Sequence, residues 1–133
     1  MIGAGDIVDY SYLWHRQASA GEEAGRKTRP CCLAVVSRRD PERLFLFPVT
    51  SRPPGRDRVA HAFTEIECRR AGLRHPAWLI LDEYNVAARD YVTDFGALRP
   101  RGHIGPTSLK IVLGIIRRLQ SARGLRGVKR DMD

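Results

Sequence analysis

At 133 residues, with 43% hydrophobic and 29% charged side chains, the chain has the make-up of one folded domain, which excludes a disordered or collagen-like polymer. Lys and Arg outnumber Asp and Glu 23 to 15, a formal charge of +8, so a polyanion or an acidic protein is the expected partner unless the basic surface is simply solvated. No apolar run approaches the roughly 20 residues that span a bilayer, the N-terminus lacks a basic stretch followed by an apolar one, and Cys31, Cys32 and Cys68 form neither an even set nor a C-x-x-C pair, so a cytoplasmic protein with no membrane partner is expected.

Gly5-Asp6-Ile7-Val8-Asp9-Tyr10 alternates β-branched and aromatic residues after a glycine and predicts a first strand. Residues 11–28 are polar, with Gly21 and Gly25, and read as a long connection of the kind that often carries function. Cys31 to Val36 and Leu44 to Val49 are continuous apolar runs that suit buried strands, and Arg39-Asp40-Pro41-Glu42 between them predicts a turn and hence an antiparallel hairpin. Residues 51–58, with Pro53-Pro54-Gly55, form a second exposed loop. Ala62 to Cys68 alternates as a further strand would, a short turn-rich stretch follows to Pro76, and Trp78 to Leu81 is another strand.

Pro106 opens the one convincing helix, along which Leu109, Val112, Leu113, Ile116 and Leu119 recur at helical spacing to an end near Gly124. Gly114 inside it marks either close packing or a tolerated cost of about 1 kcal/mol. At least five strands separated by turns and one late helix predict a mainly β chain, an antiparallel barrel or tightly curved sheet with a C-terminal α-helix. The domain is expected over 1–123, with 124–133 a basic mobile tail. From Arg99 to Arg130 there is no acid, so this segment either tracks phosphates or receives an acidic tail from a partner.

The order Gly5-Asp6-Ile7-Val8, a polar loop, Arg29-Pro30 before Cys31-Cys32-Leu33-Ala34-Val35-Val36, then Phe47-Pro48-Val49-Thr50-Ser51 and a late Asp82 resembles the PemK/MazF toxins over roughly residues 3–122. The resemblance implies an SH3-like barrel and metal-independent cleavage of single-stranded RNA, with no cofactor. It further implies a homodimer restrained by a cognate antitoxin with an acidic tail. Arg29 matches that family's catalytic arginine and Thr50 its catalytic threonine. The resemblance implies a phosphate contact at Ser51 beside it, and Arg52 is expected to join the RNA-binding set. Asp82 matches an acid that some members use, although the arginine two positions before it in some of them is here Ile80.

Cleavage through the 2′-hydroxyl develops negative charge on phosphate oxygens, which a guanidinium fork and a hydroxyl donor suit. With a pKa above about 12, Arg29 is a poor base and is expected to stabilise charge. His15, in the long loop leading to Arg29, is the best candidate for the base, with Glu22 and Glu23 competing. Trp14, Tyr10 and Tyr12 either stack on unpaired bases or belong to the core, and Trp14, at the edge of a polar loop, is the one expected to be exposed. A zinc site from His61, Cys31, Cys32 and Cys68 fails on spacing. The alternative to a nuclease is a non-catalytic barrel that binds nucleic acid or poisons a protein target such as gyrase.

Overall fold

A computed structural model describes residues 2–130 other than 24, 26, 37–38, 41 and 90–98, and the side chains of 35 and 36 are likewise outside the description. In chain order the elements are β1 (Asp6–Tyr10), α1 (His15–Ser19), β2 (Arg29–Val36), β3 (Arg43–Thr50), β4 (Ala60–Ala62), α2 (Glu65–Ala71), β5 (Trp78–Ile80), β6 (Glu83–Ala88), β7 (Gly102–His103), α3 (Pro106–Ser121) and β8 (Arg126–Lys129). No helix among the described residues is long and apolar enough to cross a membrane.

The expected hairpin forms: β2 and β3 pair antiparallel, with Cys31 opposite Pro48 and Leu33 opposite Leu46, and a bulge follows Leu33. On its other edge β3 pairs with β6 through Arg43 to Leu46 and with β5 through Val49 and Thr50. One strand thus bridges two partners that leave it in different directions, and the sheet, ordered β4-β5-β3-β2-β1-β7, curls into a half-barrel. The architecture is the mainly β, antiparallel barrel class with a C-terminal helix that the strand count implies.

The apolar runs of β2 and β3 are continuous because both of their faces are covered. Cys31 and Leu33 point with Leu44 and Leu46 toward Val8, Tyr10, Tyr12 and Trp14. Cys32 and Ala34 point with Phe47 and Val49 the other way, toward Leu79, Val112 and Ile116. Adjacent cysteines therefore lie in separate cores. Burial pushes the Cys32 thiol up to about 12 and raises Cys31 further, so both are protonated packing groups. A methyl group at Gly114 would meet nothing within 4 Å, so that glycine is a tolerated cost, not a close approach.

Three expectations are corrected. The Ala62 to Cys68 strand is instead the end of β4 followed by α2. Thr64 accepts from the Glu67 amide at 3.1 Å and Glu67 accepts from the Thr64 amide at 2.8 Å, a reciprocal cap, and Gly72 closes the helix with φ 70°. The connection 11–28 contains α1. The tail 124–133 is tied down: β8 pairs parallel with β6, Val128 is buried, and Arg130 is only 4% exposed. Residues 131–133 of that tail, and Pro41 of the turn expected at 39–42, lie outside the described residues.

Glu67 also joins α2 to its neighbours, accepting from Ser108 Oγ of α3 at 2.5 Å and lying 3.0 Å from His61 Nε2 of β4. Burial opposes its ionisation, but the Ser108 hydroxyl, the Thr64 amide and His61 outweigh it and hold the carboxyl down at about 2 against an ordinary 4.5. A depressed carboxyl contributes stability above its unfolded pKa and loses it as pH falls through the folded value. Glu67→Gln should therefore cost about 2 kcal/mol at pH 7 and flatten the rise in stability between about pH 2 and 4.5, read by urea denaturation across that range.

Candidate polyanion-binding cavity

The site begins with register. The β2–β3 ladder reaches its end with Cys31 opposite Pro48, and Arg29 and Thr50 each lie two residues beyond that pair, one on each strand. Side chains alternate, so Arg29 shares a face with Cys31 and Leu33, and Thr50 shares it with Leu44 and Leu46. Both residues thus stand at one end of the core built by Tyr10, Tyr12 and Trp14.

At that end a concave cavity of about 830 Å³ opens, within the size range of ligand sites. Trp14, Arg29, Thr50, Ser51 and Arg52 all line it. Seven of its described lining residues are Lys or Arg, among them Arg16, Lys27, Arg58, Arg74 and Arg101, and none is Asp, Glu or His. Low-dielectric walls carrying one sign of charge focus the field on an incoming anion.

Arg29 is held by stacking. Its guanidinium carbon lies 4.9 Å from the centre of the Trp14 ring, and that of Arg16 lies 5.3 Å from the same ring. Burial pulls the Arg29 pKa below its ordinary value and the neighbouring Arg16 charge adds to this, yet a guanidinium stays charged in any physiological buffer. Arg29 Nε is buried without a hydrogen-bond partner among the described residues. Thr50 Oγ1 accepts from the Arg52 amide at 3.2 Å, which leaves its own proton to donate.

Trp14 departs from its expected role. It is 8% exposed and meets Tyr12 edge to face at 5.1 Å between ring centres, so it is a platform for arginine instead of an exposed stacking surface for bases. Tyr10 and Tyr12 are each 1% exposed and belong to the core. The backbone around Trp14 is fixed residue by residue. Tyr12 Oη donates to Glu83 at 3.1 Å, Asn85 bonds the Leu13 amide and carbonyl at 2.9 and 2.8 Å, and the His15 amide donates to Glu83 at 2.8 Å. Arg130 closes this cluster, donating to the Ser11 carbonyl at 2.6 Å and to Asn85 at 3.1 Å.

The structure does not bring His15 to Arg29. As the first residue of α1 it lines a neighbouring cavity of about 400 Å³ with Asp57, Asp82, Glu83 and Arg126, and the two cavities share Arg16 and Arg58. Asp82 is likewise not turned to the larger cavity: its oxygens accept from Arg58 at 2.7 to 3.1 Å and from the Val59 amide at 3.2 Å. Asp82, expected to bind RNA, is thus engaged with Arg58 and lines the smaller cavity. Of the acid-free segment 99–130, Arg101 alone among the described residues reaches the larger cavity.

Arg16, Arg58 and Glu83 carry no motif that marks them in the sequence. The crowding of Arg52, Arg56 and Arg58 around Pro53-Pro54-Gly55 is the nearest local sign that this loop walls an anion site. No protein-family model matches the chain, and no curated protein matches it in sequence.

A buried platform and an exposed base-stacker respond differently to truncation. Trp14→Ala should lower unfolding free energy by about 3 kcal/mol in urea titrations, where an exposed tryptophan would lose a few tenths.

Proposed function

We propose that this chain is a PemK/MazF-type toxin, a metal-independent endoribonuclease acting on single-stranded RNA in the cytosol as a homodimer, restrained by an antitoxin with an acidic tail. The observation that carries this reading is that Arg29 and Thr50 line one cationic cavity with no carboxylate among its described lining residues. Their place in one cavity is a feature of the fold and is independent of the sequence resemblance.

In the proposed reaction the 2′-oxygen forms a bond to phosphorus as the bond from phosphorus to the 5′-oxygen breaks. The products are a 2′,3′-cyclic phosphate and a 5′-hydroxyl, and the proton lost from the 2′-hydroxyl is balanced by one taken up at the 5′-oxygen. Arg29 offers a charged donor to the nonbridging oxygens, and Thr50 Oγ1 offers a neutral one. The same sign of charge suits an antitoxin's acidic segment, which would occupy the cavity in place of RNA.

With no carboxylate or imidazole among the described lining residues, the 2′-proton passes to solvent in this scheme. Cleavage should then keep rising with hydroxide across pH 6 to 9 without levelling near the roughly 6.5 of a histidine, and His15→Ala should change the rate less than about twofold. The same lack of an acceptor favours a second reading, a module that binds nucleic acid without cutting it.

Incubation of the purified chain with a mixed-sequence single-stranded RNA in EDTA separates the two readings: cyclic-phosphate ends are expected, and retention of intact RNA would leave the binding module. Arg29→Ala and Thr50→Ala should each slow cleavage by about 10² to 10³ in a folded protein. Unchanged rates in both would remove them from the chemistry.

A further inference from the structure

We infer that Arg58 is a second phosphate-contacting residue of the cavity, and that Asp82 and Glu83 are positioning residues that aim it; this inference rests on the nuclease reading above. A guanidinium has five N–H groups in one plane. The Nε proton of Arg58 is taken by Asp82, with Oδ2 at 3.0 Å and Oδ1 at 3.1 Å. The two Nη2 protons are taken by Asp82 Oδ1 at 2.7 Å and Glu83 Oε1 at 2.9 Å. The two Nη1 protons have no bond to another described residue, and Arg58 lines the cavity.

Because the group is planar, fixing the Nε and Nη2 edge also fixes where Nη1 points. Its ordering entropy is spent in folding, so the donor meets phosphate already oriented. The exposures run the right way for this use: the Arg58 side chain is 27% exposed, Asp82 16% and Glu83 5%. An anion entering the cavity thus meets the guanidinium before the carboxylates behind it. Glu83 serves both walls, since its other oxygen accepts from Tyr12 Oη and the His15 amide, the segment that carries Trp14 and so Arg29. The two guanidiniums are held in register through one carboxylate.

A purely structural ion pair would affect folding and leave turnover per folded molecule alone. Single-turnover cleavage of an RNA oligonucleotide, normalised to folded fraction by circular dichroism, should fall about 10²-fold at saturation for Arg58→Lys, which keeps the charge and loses the fork. Asp82→Asn should lower it about tenfold, as loss of an orienting partner does, with KM changed less than about threefold. Saturating rates within twofold of the unmutated protein for both variants would overturn the inference while leaving the nuclease reading intact.

In the unmutated chain, arginine side-chain NMR with a 2′-O-methyl RNA oligonucleotide should shift the Arg58 Nη1 resonances, and unshifted resonances would overturn the contact whatever the variants do. Intact RNA with the unmutated chain would instead strike the nuclease reading, and the same titration would still decide the phosphate contact.

Discussion

The stretch from Ser11 to Trp14 belongs to no regular element, and its position is set by two alternate residues of β6, Glu83 and Asn85, some seventy positions away in the chain. Period-two alternation puts both on the face of β6 that carries Ala87 into the Trp14 core, while Tyr84 faces the other core. Asn85 satisfies both backbone groups of Leu13 and receives Arg130, and Glu83 receives Tyr12, His15 and Arg58. At 0% and 4% exposure these are polar groups in the interior, where a partner lost leaves a donor or charge unpaired at a cost of about 1 to 3 kcal/mol or more. The network therefore fixes one arrangement of the segment, and with it the indole on which Arg29 rests.

Legibility in the sequence follows burial. The β2 and β3 strands read clearly because their apolar runs are covered on both faces, β1 because its β-branched and aromatic residues follow a glycine, and α3 because one stripe of it, through Val112 and Ile116, is covered. The α2 helix was obscured because alternation over 62–68 also fits a strand, while the Thr64 and Glu67 cap that decides the matter is a signal of position instead of period. The β6 and β8 strands were invisible for a different reason. The inward residues of β6 include Glu83 and Asn85, and β8 leads directly to the buried Arg130, all of which resemble surface residues until their partners are known.

The site divides along the same line. Arg29 and Thr50 could be placed because both end strands of a legible hairpin, and a hairpin's register is a local property. Trp14 stood beside a polar loop and looked exposed. Its burial depends on β6 and on Arg130, which no local pattern near residue 14 announces. Asp82 was marked as a site residue by its place in the motif order, but its chemistry is set by Arg58, 24 positions earlier.

Gathering seven cations around one cavity works against folding, since each repels the others and Arg29 is also partly desolvated. The chain limits that cost in two ways. Arg58 and, more loosely at 3.5 Å, Arg101 have carboxylate partners in Asp82 and Asp9, whereas Arg29 and Arg16 have the quadrupole of Trp14. The two devices leave different surfaces for a ligand. A carboxylate takes up donors of the guanidinium it holds, so Arg58 keeps one nitrogen free; an aromatic face takes up none, so Arg29 keeps its donors but gains weaker orientation. A phosphate bridging the two would combine a donor of fixed direction with one of larger capacity. Neither supplies a proton acceptor. The cavity therefore presents an anion with concentrated positive charge and oriented donors, and with no carboxylate or imidazole among its described lining residues.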